Sequence, residues 1–491
     1  MPKHSRLALR NLLGGSALLL ALAAAPVLAD TVFTPTGNGF AGQVRAASAQ
    51  QGSPIYPGSK ATIAGQGLVP GQQITLMRGA TVLNAAGPIT VDADGKFSFE
   101  VDVDEEAAPG LQPVVVIAEK PAAASVVDLK VSPDVPVSGT DNFSVLSEKV
   151  TRGLYQVAYS PASNAVFVAS AVGRPPVKES AVTRIDADTL KITAQVTPPE
   201  APAPARSAEG GPQGGPPSAG PAGGQPDDGR PALFAVYGIG VDDANGNVWV
   251  TNSRQNTVAV YKQSDLSLVK QFEPGAVNHA RDVLVDEANG RAYASATRTG
   301  NIEVFDTRTL EKLEPIVIRS AQRGGEFSAM ALDVDPKDGR LVTVSMSTNE
   351  AALVDLASGE VKVFPLPGAK GASGVAYDPQ DGLIFVVSQQ TDNLLIVKAD
   401  SGEVLHDVKT GAQPLNVAFE PVSRLAYVAN RGSGTITVVD TAGKIVANLD
   451  AGNLPNQLRA DGKGNVWAVN KSRGEDDPDG DRVWKITPVA H

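Results

Sequence analysis

Few residues in this chain are of the types that make and break bonds. The chain has no cysteine and four histidines, of which only His279 and His406 lie away from its ends. The lack of cysteine excludes disulfides, thiol nucleophiles and thiolate zinc sites. Two internal histidines do not suit a multi-histidine metal centre. The composition therefore favours a binding role over thiol or metal chemistry.

One acidic stretch has the spacing of the front half of a calcium loop. Asp477, Asp479 and Asp481 alternate around Gly480, and Ca²⁺ is bound by several carboxylate oxygens on a flexible turn. The complete loop needs a bidentate Glu at its twelfth position, which is Pro488 here. We expect a solvated hairpin tip, with Ca²⁺ as the alternative; no other cofactor or metal is predicted.

A larger group of polar residues shares one position in an internal repeat, beside the first strand of each copy. Tyrosines, an arginine, an aspartate and amides that converge on one opening suit a small polar ligand. The predicted ligand-binding residues are Tyr155, Gln156, Tyr237, His279, Arg281, Asp282, Asn416, Asn456 and Gln457. Alternatively, these side chains only cap strands around a water-filled opening. No catalytic residue is predicted.

The repeat that positions these residues has a period of about 41–49 residues, once a 34-residue insertion is set aside. Each copy contains an apolar–x–apolar–acid segment, which ends at Ser160, Asp242, Asp286, Asp335, Asp378, Glu420 and Asp461 in turn. Alternating apolar residues predict four strands in the sixth copy, at Leu415–Phe419, Leu425–Ala429, Thr435–Val439 and Lys444–Leu449. Four strands at this period are typical of a β-propeller blade.

The seventh copy is one strand short, and Phe143–Ser147 before the first copy supplies a matching segment. We therefore expect one N-terminal and three C-terminal strands to close a ring, which leaves no exposed sheet edge. The predicted fold class is all-β, with a seven-bladed propeller over residues 140–491. Asp306, Asp355 and Asp440 each end a third strand, and this repetition predicts a turn role for them.

The chain begins with the pattern of a signal peptide over residues 1–29. Lys3, Arg6 and Arg10 precede an apolar run, and small residues precede Asp30. We expect cleavage after Ala29, a periplasmic or secreted location and no membrane span. The formal net charge of −11 makes nucleic acid an unlikely partner.

Composition divides the remainder of the chain. Residues 30–57 predict a flexible lead-in. Short alternating runs between turns predict an Ig-like β-sandwich over residues 58–135. Residues 198–231 contain 10 Pro and 8 Gly, which predicts a disordered insertion.

Three second strands carry a recurring motif. Tyr427–Asn430 and Trp249–Asn252 nearly spell Tyr-Val-Thr-Asn, and Trp467–Asn470 is a third variant. Residues 140–491 thus resemble the YVTN-repeat bacterial propellers, including the exported YncE-like proteins. The resemblance implies a binding or scaffolding module of the envelope. The Asn of each motif is expected to be a turn residue that bonds its own backbone.

These observations together predict a non-catalytic exported propeller that binds a small polar ligand or an envelope protein at the loop-rich channel face. One alternative is a propeller hydrolase or lactonase with its active site at the channel mouth, which needs a general base beside a metal or a cluster of His and acids. Another is a nucleic-acid-binding YncE-like protein, which needs basic residues interleaved with aromatics.

Overall fold

The computed structural model describes residues 42–202 and 229–489. The predicted signal peptide, residues 30–41 of the predicted lead-in and residues 203–228 of the predicted insertion lie outside them. Within the described ranges the only helical elements are the 3-10 turns Thr140–Asn142 and Ser253–Gln255, and all other elements are strands. The all-β prediction is confirmed. No helix in these ranges is long and apolar enough to cross a bilayer.

Eight strands at the N-terminal end form two antiparallel sheets around one core. They are β1 (Gln43–Ser48), β2 (Lys60–Gln66), β3 (Gln73–Arg78), β4 (Thr81–Val82), β5 (Ile89–Thr90), β6 (Phe97–Asp102), β7 (Gly110–Glu119) and β8 (Ala123–Val131). One sheet has the order β1-β2-β6, and the other has the order β4-β3-β7-β8 with β5 on β3. Alternate residues such as Ile63 and Leu76 are fully buried between them. Gln43–Ser48 belongs to the predicted flexible lead-in but forms a strand that pairs with β2 over six residue pairs. Val44 and Ala46 of this strand pack against the hydrophobic core, which favours the strand over a flexible segment.

The remaining strands form seven four-stranded antiparallel sheets. The strands are β9 (Phe143–Lys149), β10 (Leu154–Ser160), β11 (Ala165–Val172), β12 (Glu179–Asp186), β13 (Ile192–Val196), β14 (Val236–Asp242), β15 (Asn247–Asn252), β16 (Thr257–Lys262), β17 (Leu268–Gln271), β18 (Ala280–Asp286), β19 (Arg291–Ala296), β20 (Asn301–Asp306), β21 (Ile316–Val317), β22 (Ala329–Asp335), β23 (Arg340–Ser345), β24 (Glu350–Asp355), β25 (Val361–Pro365), β26 (Ala372–Asp378), β27 (Leu383–Ser388), β28 (Asn393–Lys398), β29 (Val404–Lys409), β30 (Pro414–Glu420), β31 (Leu425–Asn430), β32 (Thr435–Asp440), β33 (Ile445–Asp450), β34 (Pro455–Ala460), β35 (Val466–Asn470) and β36 (Arg482–Pro488). Six sheets take four consecutive strands each from β10 to β33, and the last sheet has the order β34-β35-β36-β9.

Consecutive sheets pack face to face. The first strands β10, β14, β18, β22, β26, β30 and β34 contact one another in that order, and β34 also contacts β10. A hydrophobic cluster lies between each pair of neighbouring sheets, including the last and the first. Middle strands such as β27 are therefore buried on both faces, whereas outer strands such as β13 are half exposed. Continuous apolar runs are expected for strands covered on both sides.

The last sheet joins the two ends of the repeat region. Strand β9 pairs antiparallel with β36, with Phe143 opposite Pro488 and Lys149 opposite Arg482. The pairing predicted between the segment at Phe143 and the last copy is confirmed. It supplies the fourth strand that the last copy lacks.

The motif residues are structural, as expected, but the asparagines act differently from the prediction. Asn430 ends β31 and its Nδ2 donates to the hydroxyls of Thr435 and Thr437, at 3.1 and 2.7 Å. Asn470 accepts the backbone N–H of Arg482 at 2.9 Å. These bonds join neighbouring strands, so the predicted bond to the residue's own backbone is wrong. Two strands lie within reach because each Asn is buried inside its sheet.

The acids that end the third strands do form turns. Oδ1 of Asp306 accepts the backbone N–H groups of Arg308 and Thr309 at 3.0 and 2.9 Å. Asp355 and Asp440 each accept two backbone N–H groups in the same way. Their predicted turn role is confirmed.

A buried ion pair connects the N-terminal sheets to the fifth four-stranded sheet. Nζ of Lys130 lies 2.6 Å from Oδ1 of Asp392 and donates to the carbonyl of Gln389 at 2.7 Å. The Asp392 side chain is 2% exposed. A second, more exposed pair joins Lys370 to Asp128 at 3.1 Å.

Candidate functional site

Several of the predicted ligand-binding residues lie at a β-bulge or register irregularity between the first and second strands of their sheets. Pairing between β10 and β11 passes over Tyr155, pairing between β34 and β35 passes over Asn456, and pairing between β18 and β19 passes over Arg281 and Asp282. An extra residue on one strand bends it and re-aims its side chain. The sequence predicted that these residues lie at the starts of the first strands. In the structure they lie inside the strands, because the strand is paired with its neighbour both before and after the skipped residues.

All nine predicted residues line one cavity of about 560 Å³. Tyr155 and Gln156 lie on β10, Tyr237 on β14, Arg281 and Asp282 on β18, Asn416 on β30, and Asn456 and Gln457 on β34, whereas His279 immediately precedes β18. Side chains that are up to about 300 positions apart in the chain thus line the same cavity, and the alignment of the repeat assigned them to equivalent positions.

Several other lining residues were not among the predictions. Ser253, Thr297 and Met346 follow second strands, and Ser328 precedes β22. The signal that could have found the first three is their position directly after β15, β19 and β23, at the end of the sheet that carries the bulges. Met330 and Leu415 occupy the bulge position itself and give the wall an apolar part.

Four of the predicted side chains also join neighbouring sheets. An oxygen of Gln156, Asp282, Asn416 or Gln457 accepts the backbone N–H of the next sheet's first strand, from Ile239 (3.1 Å), Leu332 (3.0 Å), Leu458 (2.9 Å) and Val157 (2.9 Å) respectively. One oxygen of each of these side chains is therefore already occupied by a hydrogen bond between sheets. In Gln457, which is 2% exposed, Nε2 has no hydrogen-bond partner within the described residues.

Two tyrosines form one wall of the cavity. The rings of Tyr155 and Tyr237 are 4.3 Å apart between centroids, at 70°. Nζ of Lys471 lies 3.4 Å from the Tyr155 ring centroid, and Nε of Arg254 donates to the Tyr237 hydroxyl at 3.2 Å. Burial raises the pKa of Tyr155 to about 12. The Tyr155 hydroxyl is therefore protonated at neutral pH and can donate a hydrogen bond.

Basic groups surround His279. Burial and the nearby charges of Arg298, Arg254 and Arg281 lower the pKa of His279 to about 4. Burial also lowers the pKa of Arg281, whose Nη1 lies 3.7 Å from Sδ of Met330. A neutral His279 beside three arginines is a poor general acid near pH 7, but it can still hydrogen-bond a ligand.

The cavity ends at an ion pair. Nη2 of Arg459 on β34 lies 3.2 Å from Oδ1 of Asp282 on β18. Beyond Arg459 a second cavity of about 790 Å³ is lined by Asp333, Asp335 and Asp461 among others. Burial raises the pKa of Asp333 to about 6. Asp282 thus forms its close ion pair with Arg459 of another sheet, although Arg281 is its neighbour in the chain.

The acidic residues of the calcium candidate make hydrogen bonds within the protein. The Asp477 carboxylate accepts Nδ2 of Asn453 at 2.9 Å and the backbone N–H of Arg473 at 2.7 Å. The Asp481 carboxylate is buried and accepts the backbone N–H of Gly153 at 2.8 Å. In residues 42–202 and 229–489 no cluster of three or more His, Asp or Glu side chains has metal-ligand geometry.

Comparison with protein-family profiles gives no match, and neither does comparison with curated protein sequences. Solved structures are similar over most of the chain. Hydrazine synthase of Kuenenia stuttgartiensis is 16% identical over 69% of this chain and 96% of that chain, with a TM-score of 0.50. Virginiamycin B lyase from Staphylococcus aureus is 15% identical over 71% and 100%, with a TM-score of 0.50. The RRP9 WD40 repeats are 9% identical over 72% and 100%, with a TM-score of 0.53. At these identities the likeness concerns the fold alone: the chain has a propeller-like architecture of repeated antiparallel sheets.

Proposed function

We propose that this protein is a non-catalytic exported binding propeller, and that the cavity at the bulges of its first strands holds a small polar ligand. The observation that carries the proposal is the convergence of nine polar or aromatic side chains from five sheets on one cavity of about 560 Å³. Ligand pockets of this size, with an apolar part and a few convergent polar groups, are typical of small-molecule sites. An envelope protein that presents a polar side chain to this opening is the other form of the proposal.

The architecture behind the proposal is a seven-bladed propeller of YVTN type, in which each four-stranded sheet is one blade. Its support is the cyclic order of contacts between the first strands and the pairing of β9 with β36. The two N-terminal sheets would be an Ig-like sandwich that presents a second contact surface. Residues 1–29 would be the signal peptide that exports the protein.

The carboxylate in the cavity is poorly placed for catalysis. Both oxygens of Asp282 are engaged: Oδ1 contacts Arg459, and Oδ2 accepts the N–H of Leu332. A general base must have a free lone pair within reach of the proton that it removes. His279 supplies a neutral imidazole, but no carboxylate is hydrogen-bonded to it in the described part of the chain. Binding is therefore favoured over hydrolysis.

A ligand screen on purified protein that begins at Asp30 tests the proposal. Small polar compounds should raise the melting temperature, because a ligand that binds only the folded state stabilises it. Met346→Trp, which fills the cavity, should abolish the shifts, and Val422→Trp on an exposed turn should not. Turnover of ester or lactone substrates that is lost in Met346→Trp would overturn the non-catalytic proposal. Melting-temperature shifts that persist in Met346→Trp would show that the compounds bind at another site.

A further inference from the structure

A cluster of basic side chains borders the cavity: burial lowers the pKa of Lys471 to about 7 and that of His279 to about 4, so at neutral pH the positive charge comes from the arginines and part of the lysine. Arg281 and His279 line it, Arg254 contacts Tyr237, and Lys471 lies over Tyr155. Arg431 donates to Oδ1 of Asn456 at 2.5 Å. Each basic group therefore lines the cavity or touches a residue that does. The chain as a whole is acidic, with a net charge of −11, so this concentration is local.

These basic groups make no close ion pair with a carboxylate in the described part of the chain, although Asp282 attracts Arg281 and Asp481 attracts Lys471 at longer range. No ion pair within 4.0 Å joins Arg254, Arg281, Arg431 or Lys471 to an Asp or Glu there. Asp282, the carboxylate that lines the cavity, is paired with Arg459 instead. A charge removed from water is costly unless it is paired, so an unpaired cluster of partly buried cations is expected where a ligand supplies the counter-charge.

The neutral polar groups of the cavity are also donors. Nε2 of Gln457 is buried and has no hydrogen-bond partner among residues 42–202 and 229–489, while its Oε1 accepts the N–H of Val157. The Tyr155 hydroxyl is protonated, and Nδ2 of Asn456 is occupied by the carbonyl of Tyr155 at 2.6 Å. Buried donors are normally satisfied, so a free buried amide beside a cavity suits an acceptor from outside the chain, such as a ligand oxygen or a water.

We propose that the ligand of this cavity is a small organic anion whose carboxylate or phosphate group lies against Arg281, and this inference rests on the proposed binding function. Arginine binds either group through two parallel N–H donors. The apolar wall of Met330, Met346 and Leu415 contacts the organic part, and the tyrosine pair closes the opposite side. Carboxylate and phosphate share the recognition chemistry, and the experiment separates them.

Isothermal titration calorimetry with benzoate, phenyl phosphate and benzamide tests this inference. Benzamide has nearly the shape of benzoate without its charge. Benzoate or phenyl phosphate should bind at least tenfold more tightly than benzamide, and the more tightly bound anion identifies the preferred group. Arg281→Gln should reduce anion affinity at least tenfold, and Lys471→Gln is a second variant in case the first does not fold. Arg291→Gln is the matched control, since Arg291 pairs with Asp306 at the end of β20.

The outcomes separate the two proposals. Equal binding of benzamide and benzoate, with no effect of Arg281→Gln, would overturn the anion inference and leave the binding function intact. Binding of neutral compounds from the screen without binding of either anion would do the same. If no compound of any class binds, and Met346→Trp changes no measured property, the binding function itself is wrong.

Discussion

Arg459 and Asp282 form an ion pair between sheets that are not neighbours. Arg459 lies on the last four-stranded sheet and Asp282 on the third, and the first strands of these sheets do not follow one another in the packing order. The pair must therefore cross the space that the first strands enclose. Asp282 lines one cavity and Arg459 lines the other, so the ion pair lies between the two. The cavity on the Asp282 side is bordered by arginines, whereas the cavity on the Arg459 side is lined by Asp333, Asp335 and Asp461.

Removing Arg459 should destabilise the fold. The side chains of Arg459 and Asp282 are 21% and 3% exposed. Loss of one partner of a buried pair leaves an uncompensated charge and typically costs about 3–5 kcal/mol. Arg459→Met should lower the free energy of unfolding by about that amount in urea titrations. Arg340→Met, which breaks a more exposed pair with Asp355, should cost less than about 1 kcal/mol. Equal losses of stability in the two variants would show that the Arg459–Asp282 pair contributes no more than an exposed pair.

Lys130 should control how firmly the N-terminal sheets are attached. Lys130→Met leaves the carboxylate of Asp392 buried without a cation. We expect faster proteolysis in the connection 132–139 and a loss of about 3 kcal/mol in stability. Lys370→Met is the control, because the Lys370–Asp128 pair joins the same two parts but is about half exposed. Limited proteolysis with mass spectrometry makes the comparison; identical cleavage rates in both variants would refute the assignment.

Gln457 should stabilise the contact between the last and the first repeat sheets. Gln457→Leu removes the acceptor of the Val157 N–H, and an unsatisfied buried donor costs about 1–3 kcal/mol. The loss should appear in chemical denaturation. The same change at exposed Gln195 should be close to neutral. If Gln457→Leu is as stable as the wild type, the hydrogen bond does not contribute to closing the sheets.

His279 should make stability fall in acid. Its pKa is about 4 in the folded protein against 6.5 in the unfolded chain. The unfolded state therefore binds more protons between these values, and stability is lost as pH falls from about 6.5 to 4. His279→Gln should remove up to about 3 kcal/mol of this loss. Unfolding free energies at pH 7 and pH 4 measure the effect, and His406→Gln in β29 is the control. A wild-type pH slope in His279→Gln would contradict it.

Asp333 should have the opposite effect. Its pKa is raised to about 6, so the folded state binds more protons than the unfolded state between about pH 4 and 6. Stability from this group is present below that range and is lost as pH rises through it. The wild type loses this stability as pH rises from 4 to 7, whereas Asp333→Asn does not. The difference in unfolding free energy between the two should therefore shift in favour of Asp333→Asn by up to about 3 kcal/mol over this range. A constant difference across this range would show that Asp333 titrates normally.

The sequence alone was sufficient for the repeated strands, and for the residues that share the bulge position. Alternating apolar residues and a fixed interval report local backbone geometry and the contacts that each copy repeats, so the strands of the sixth copy were found to within one or two residues. The same periodicity brought Tyr155 and Gln457 to one cavity. The propeller-like fold is confirmed, whereas the seven-blade count, the YncE-like family and the exported location stay predictions.

Only the tertiary structure decided how those side chains are used. The pairing of Asp282 with Arg459, the bond from the Val157 N–H to Gln457 and the ion pair of Lys130 with Asp392 join residues from different sheets. A repeat pattern predicts the position of each residue along its strand. It does not predict which side chain of another sheet that residue contacts across the space that the first strands enclose. That partner depends on how far every sheet is turned about the centre, which is set by packing between the sheets and leaves no local trace in the chain.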